Sequence, residues 1–278
     1  MPNMRSAHWN SHTMERISHS HSKNINDWKE QLRVFQRHKE EPSRRIIMQH
    51  WIFHRREGLK RPELAKLIDH TNLKPDATDD DVRRLCLESK AHGFKASVVN
   101  PCNVRLAART LHDSGVAVCS VVGFPLGATT PKMKAFEAEE AIRNGATEID
   151  MVMNIGALKS RRIEDVRADM ESVASAIRGR GVVLKVIIEA CFLTDEEKVE
   201  ACLVARDVGA HFVKSSTGFA GGARVEDIRL MRKTVGESVG VKAAGGIRSY
   251  PDAMMMVQAG ASRIGTSSGV RIVEECPE

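Results

Sequence analysis

From residue 61 onward the chain alternates short apolar runs with longer amphipathic ones. The short runs predict strands near 66–69, 94–99, 116–122, 147–153, 182–189, 211–215, 240–243 and 262–265. Between them, apolar positions at helical spacing predict helices near 79–91, 103–113, 131–143, 162–178, 195–208, 225–235 and 251–258, with a short last one after Ser268. The punctuation agrees. Thr194-Asp195-Glu196-Glu197 is a capping box ahead of an apolar-periodic run. Gly93, Gly115, Gly145, Gly181, Gly209, Gly236 and Gly260 each follow a helix, where a left-handed residue ends it. Pro131 and Pro251 suit a first helical turn. Eight strands alternating with eight helices imply a parallel sheet, and eight units match a closed (β/α)₈ barrel of the TIM type. An open doubly wound sheet would carry its glycine loop after the first strand. Here the glycine-rich turns follow strands six, seven and eight.

Three polar residues interrupt these strands without a packing reason. Lys214 lies in Phe212-Val213-Lys214-Ser215, Lys242 in Gly240-Val241-Lys242-Ala243, and Asp150 in Glu148-Ile149-Asp150-Met151. A charged lysine is costly to bury. Burial or a neighbouring cation lowers its pKa and frees the amine to attack a carbonyl. Two such lysines on successive strands suit one nucleophile and one tuning cation, with Asp150 facing one of them. The plainer reading is strand-end lysines whose stems run along apolar surface to water, and a structural ion pair on the barrel floor for Asp150. Asp69, closing the first strand before His70-Thr71, is a candidate that a loop cap would explain equally well.

A second cluster has the character of an anion site. Gly245-Gly246 follows strand seven and Gly265-Thr266-Ser267-Ser268-Gly269 follows strand eight. In barrels these two loops commonly bind phosphate. Met254-Met255-Met256 reads as helix core, and Gly123-Phe124-Pro125-Leu126-Gly127 as a turn that also walls the site. No HExxH, CxxC or paired-Asp motif suggests a catalytic metal.

Composition divides the chain. Residues 1–60 hold 12 Lys and Arg against 6 Asp and Glu, all three tryptophans and seven of the eleven histidines; residues 61–278 hold thirty charges of each sign. The boundary falls near Leu59–Pro62, giving a basic N-terminal extension, partly disordered or loosely helical over 26–40 and 44–56, and a barrel over 61–278. The balanced barrel gives no argument for a nucleic-acid partner. No apolar run is long enough to cross a membrane. Six scattered cysteines point to reduced thiols and a cytoplasmic setting.

The motifs also carry a resemblance. Ile68-Asp69-His70-Thr71-Asn72-Leu73-Lys74-Pro75, Val121-Val122-Gly123-Phe124-Pro125-Leu126-Gly127 and Glu148-Ile149-Asp150-Met151-Val152 belong to it. So do Phe212-Val213-Lys214-Ser215-Ser216-Thr217-Gly218, Val241-Lys242-Ala243-Ala244-Gly245-Gly246-Ile247-Arg248 and Gly265-Thr266-Ser267-Ser268-Gly269. In this order they resemble the deoxyribose-phosphate aldolase family of lysine-dependent (class I) aldolases. The resemblance runs from about residue 62 to 272 and leaves out residues 1–60.

It implies a (β/α)₈ barrel that reversibly splits 2-deoxy-D-ribose 5-phosphate into D-glyceraldehyde 3-phosphate and acetaldehyde, without metal or other cofactor. By resemblance Lys214 forms the Schiff base, Lys242 depresses its pKa, and Asp150 takes part in proton transfer through water. Gly218, Gly245, Gly246, Gly265, Ser267 and Ser268 fall on phosphate-binding positions, and Asp69 and Thr71 on positions that line the substrate. Family members are often dimers, so a homodimer is expected. The chemistry fits, because an iminium withdraws electrons and carbon–carbon cleavage then leaves an enamine rather than a free carbanion.

Three positions depart from the family. Val98 stands where many members have a strand-two cysteine, with Cys102 the nearest thiol in sequence. Phe219 stands where some have a lysine. The tail Cys276-Pro277-Glu278 lacks the tyrosine of some relatives, Tyr250 being the one tyrosine in the chain. The alternatives are a related class I barrel aldolase acting on another sugar phosphate, and a non-catalytic sugar-phosphate binder. The latter has no need of a buried amine pair.

Overall fold

A computed structural model describes residues 59–277, and the helices expected over 26–40 and 44–56 lie outside them. Eight parallel strands close into a barrel in sequence order. They are β1 (Ile68–Asn72), β2 (Ala96–Val99), β3 (Ala117–Val122), β4 (Glu148–Val152), β5 (Val183–Ile187), β6 (Phe212–Lys214), β7 (Gly240–Ala244) and β8 (Arg263–Thr266). The helices are α1 (Arg61–Ala65), α2 (Asp79–His92), α3 (Val104–Thr110), α4 (Pro131–Arg143), α5 (Ile155–Lys159), α6 (Ile163–Ile177), α7 (Asp195–Asp207), α8 (Val225–Val235), α9 (Tyr250–Gln258) and α10 (Gly269–Glu274). Strands with a helical layer outside and side chains inside are buried on both faces, and every residue of β4 is buried.

The helix signals act as their chemistry requires. Thr194 Oγ1 accepts from Glu197 N–H at the start of α7, and the Glu197 carboxylate accepts from Thr194 N–H at 2.9 Å. Thr78 and Asp81 form the same box on α2. The seven glycines expected to end helices all have positive φ.

Three elements differ from expectation. The first strand, expected over 66–69, runs from Ile68 to Asn72. The preceding residues form α1, with Pro62 in its first turn and Glu63 accepting from Lys60 N–H at 2.9 Å. The shift carries Asp69 and His70 into the strand interior. The third helix starts at Val104, after a 3₁₀ turn over Pro101–Asn103, and ends at Thr110. An unanticipated short helix, α5, begins where Asn154 Oδ1 accepts from Ala157 N–H at 3.0 Å.

Two apolar clusters hold the barrel. The large one lies between the strands and the helices and includes Ile149, Met151, Leu184, Val213 and Ile228. Met256 belongs to it, Met254 is buried outside it, and Met255 is exposed. The small one gathers Leu73, Ala96, Val98, Cys119 and Val121. β2 and β3 thus give the barrel interior an apolar side, and the other six strands fill it with charge. Gly127 pins the β3–α4 loop to the end of β4: its φ is 67° and a Cβ there would meet the Met153 carbonyl oxygen at 2.0 Å.

Candidate active site

Register puts Lys214 beside Lys242, Asp150 beside Lys185, and Lys242 beside Arg263. Their side chains converge inside the barrel. Asp150 Oδ2 accepts from Lys214 Nζ at 2.9 Å and from Lys242 Nζ at 2.7 Å, and Oδ1 accepts from Lys185 Nζ at 2.8 Å. Lys242 Nζ also lies 2.6 Å from Asp69 Oδ2, an ion-pair contact without hydrogen-bond alignment. Deeper down, Lys185 pairs with Glu148 at 2.5 Å. Arg263 bridges Asp69, from Nε at 2.7 Å, and Glu148, at 2.8 Å. The Phe212 ring centre lies 5.5 Å from its guanidinium carbon. Asp150 therefore faces both expected lysines and a third.

The connected cluster contains three carboxylates (Asp69, Glu148, Asp150) and four basic side chains (Lys185, Lys214, Lys242, Arg263). With all seven ionised, one positive charge is left over among buried groups. Buried charge without a counter-charge is costly, so the balance favours one basic group giving up its proton. Of the four, Lys214 is the one whose pKa is shifted in that direction. Burial drives its pKa down; Asp150 opposes the shift, Lys242 reinforces it, and the result is a lowered value. Burial acts the same way on Lys242, but Asp150 and Asp69 outweigh it and hold that ammonium above the ordinary lysine value. Lys185 is held well above it, chiefly by Asp150 against burial. Burial raises Asp150, but Lys185, Lys214 and Lys242 together keep its carboxyl well below the usual range. Asp69 is held lower against its burial by Lys242 and Arg263.

A cavity of about 500 Å³ opens above Lys214 at the C-terminal ends of the strands. Lys214, Thr71, Gly218, Gly245, Gly246, Gly265 and Ser267 line it. Asp69, Asp150 and Lys242 lie beneath it, fully buried, so Asp69 meets Lys242 and forms no part of the wall. Ser268 stands behind the wall, its N–H donated to Thr266 Oγ1 at 2.9 Å. The β6 and β7 loops form one wall: Ala223 N–H donates to the Gly245 carbonyl at 2.9 Å, and a Cβ on Gly245 would sit 3.1 Å from Gly222 Cα. Gly218, Gly245 and Gly246 have φ of 86°, 91° and 76°, open to glycine. Phe219 brings an aromatic ring to the cavity edge, 5.3 Å from Phe124 and perpendicular to it. Positive charge on the cavity lining comes from Lys74 after β1, Arg84 on α2 and Arg248 after β7.

Sequence reasoning missed Lys185, Glu148, Arg263 and Cys119. Cys119 Sγ lies 3.1 Å from Asp150 Oδ1, making it the thiol nearest the carboxylate in space, whereas Cys102 is exposed. Burial pushes its pKa up to about 12, so it is a neutral thiol. Lys185 carried the same signal as Lys214, a lysine inside an apolar strand. Among the described residues no group of three or more His, Cys, Asp or Glu converges to hold a metal ion, and no helix is long and apolar enough to cross a membrane.

Comparisons with known proteins point the same way as the geometry. Residues 64–274 match the DeoC/LacD family aldolase. The chain is 58% identical over 216 residues to the deoxyribose-phosphate aldolase of Methanothermobacter thermautotrophicus, covering 77% of this chain and 95% of that one. It is 55% identical over 223 residues to that of Thermococcus kodakarensis, covering 79% and 100%. Among solved structures, the tetrameric deoxyribose phosphate aldolase of Aeropyrum pernix superposes with a TM-score of 0.72 at 38% identity, covering 77% of this chain and 91% of the other.

Proposed function

The chain belongs to the DeoC/LacD family of aldolases, and on that footing we propose that it reversibly cleaves 2-deoxy-D-ribose 5-phosphate to D-glyceraldehyde 3-phosphate and acetaldehyde through a Schiff base on Lys214. The observation that carries the reading is the surplus positive charge around Asp150, which Lys214 relieves by becoming a free amine at the base of the cavity.

Lys214 Nζ attacks the C1 aldehyde, and loss of water leaves an iminium. The C2–C3 bond then breaks, its electron pair moving toward the iminium to give an enamine. The C3 hydroxyl gives up its proton as C3 becomes the aldehyde of the released triose phosphate. Protonation at C2 and hydrolysis of the imine free acetaldehyde and return the amine. Asp150, within hydrogen-bond reach of both Lys214 and Lys242, serves the proton transfers. Lys242 is the tuning cation. Gly218, Gly245, Gly246, Gly265 and Ser267 hold the phosphate, Ser268 supports their loop, and Thr71 faces the substrate. Asp69 orients Lys242. A cytoplasmic setting agrees with six free thiols.

Two measurements test this. Acetaldehyde release from 2-deoxyribose 5-phosphate tests the reaction. Borohydride reduction with acetaldehyde, followed by peptide mapping, is expected to label Lys214. A label on Lys242 would reverse the two roles, and no label would sink the Schiff base.

A further inference from the structure

Glu189 holds a backbone that suits glycine, yet it is a buried glutamate. It follows β5, where Ile188 N–H donates to the Lys214 carbonyl at 3.0 Å and Ala190 N–H to the Ser215 carbonyl at 2.8 Å. Between these two ladder bonds Glu189 adopts φ 51° and ψ 65°, the left-handed region that a β-carbon disfavours. Its side chain is 1% exposed, and among the described residues no cation pairs with it. Thr217 supplies most of the carboxylate's hydrogen bonds, and Cys191 Sγ lies 3.8 Å from Oε1. Oε2 accepts from Thr217 N–H at 3.2 Å, Oε1 lies 3.4 Å from the same nitrogen, and Oε2 also accepts from the Thr217 hydroxyl. Thr217 Oγ1 in turn accepts from Phe219 N–H at 3.1 Å. Hydrogen bonds to an ionised group are the strong and directional ones.

Thr217 and Gly218 line the cavity, and the turn they begin abuts the second glycine loop: a Cβ on Gly245 would lie 3.3 Å from Gly218 Cα. The carboxylate therefore fixes, from behind, the turn that carries one half of the glycine wall. We infer that Glu189 is a positioning residue for the phosphate arm of the substrate, acting through Thr217 and Gly218 rather than touching the substrate itself. The inference rests on the function proposed above and adds to it the residue that sets the phosphate wall. Backbone held in a sparsely populated region tends to mark such sites, and here its partner lines the cavity.

The test compares kcat and KM on 2-deoxyribose 5-phosphate and on unphosphorylated 2-deoxyribose. Glu189→Gly removes the carboxylate and suits the same backbone, so the fold is kept. The expected result is a fall of about tenfold or more in kcat/KM for the phosphorylated substrate, mainly through KM. The unphosphorylated substrate should change by less than about threefold. Labelling of Lys214 by acetaldehyde and borohydride should persist. Glu189→Gln keeps one carbonyl oxygen for Thr217 and should fall between. An unchanged preference for phosphate, or an equal loss on both substrates, would overturn the inference. Should the glycine variant not fold, Glu189→Gln and Thr217→Val carry the test: a narrowed preference in both supports the clamp, and an unchanged preference in either overturns it. A wild-type chain that fails to cleave 2-deoxyribose 5-phosphate would overturn both this inference and the substrate reading, and that control tells the two failures apart.

Discussion

Removing one cation from the cluster around Asp150 leaves three basic groups against three carboxylates, so the surplus charge no longer presses Lys214 to lose its proton and burial alone still does. Lys242→Leu, close in size and uncharged, makes that change next to the amine. It also frees Asp150 to hold Lys214 as an ammonium, so both effects raise the Lys214 pKa toward its ordinary value. A neighbouring cation shifts a pKa by about 1–3 units, so activity at neutral pH should fall by about 10- to 1000-fold. The acid limb of the kcat/KM profile should move to higher pH, with part of the activity recovered in alkali. A profile of unchanged shape would reject the tuning role. Lys214, Lys242 and Asp150 were legible in the sequence because each breaks an apolar strand. Lys185 breaks β5 in the same way, but no glycine loop follows it to set it apart. Glu148 and Arg263 stand at strand starts, where a charged residue reads as an edge residue until register turns it inward. Asp69 reads as a loop cap while the strand is expected over 66–69, and lies inside it once β1 runs from Ile68 to Asn72.

At the level of elements, Arg263 ties β8 to its neighbour β1 through Asp69 and across the barrel to β4 through Glu148. Arg263→Met keeps much of the stem volume and leaves both carboxylates one cation short. Breaking a buried ion pair typically costs about 3–5 kcal/mol, because the remaining charge is uncompensated. Lys242 and Lys185 still reach the same carboxylates, which places the loss toward the lower end. Urea unfolding checks it, and a loss under about 1 kcal/mol would show that the pair does not brace the barrel. Strands two to eight were legible to within two residues because parallel strands read as apolar runs between helix caps and glycines. β1 was not. Lys66-Leu67-Ile68-Asp69 is apolar at its centre, but Pro62 and Glu63 start a one-turn helix that uses up the residues before Ile68. α5 escaped notice because five residues give no periodicity, and its one signal is the Asn154 cap.

For the molecule as a whole, pH dependence follows from the same buried groups. Asp69 and Asp150 have folded pKa values below their unfolded ones, so their contribution is present above the usual carboxylate range and is lost as pH falls through the folded values. Lys185 and Lys242 are raised, so theirs is present below the ordinary lysine value and lost only as pH rises through the higher folded values. Lys214 runs the other way: its lowered pKa costs stability in acid and neutral solution, and that cost lifts as pH rises toward 10.5. The thermal midpoint should therefore drop steeply below about pH 4, where the buried carboxylates lose their charge, and rise on the alkaline side as the Lys214 cost lifts, as melting curves across that range would record. A midpoint that stays level below about pH 4 would contradict the role of the buried carboxylates. The last expectation concerns the division of the chain. Residues 1–60 hold the whole net charge of +6, and thirty charges of each sign remain beyond them. The cluster, the cavity and the glycine wall all lie within residues 59–277, and a relative named as the aldolase is spanned in full by a 223-residue match. A chain beginning at residue 59 should thus fold and keep most of its turnover, while losing retention on a cation exchanger because its net charge falls close to zero. Far-UV circular dichroism, acetaldehyde release and exchanger elution measure the three properties. A folded, soluble chain from residue 59 that loses most of its turnover would show that the first 58 residues contribute to the site.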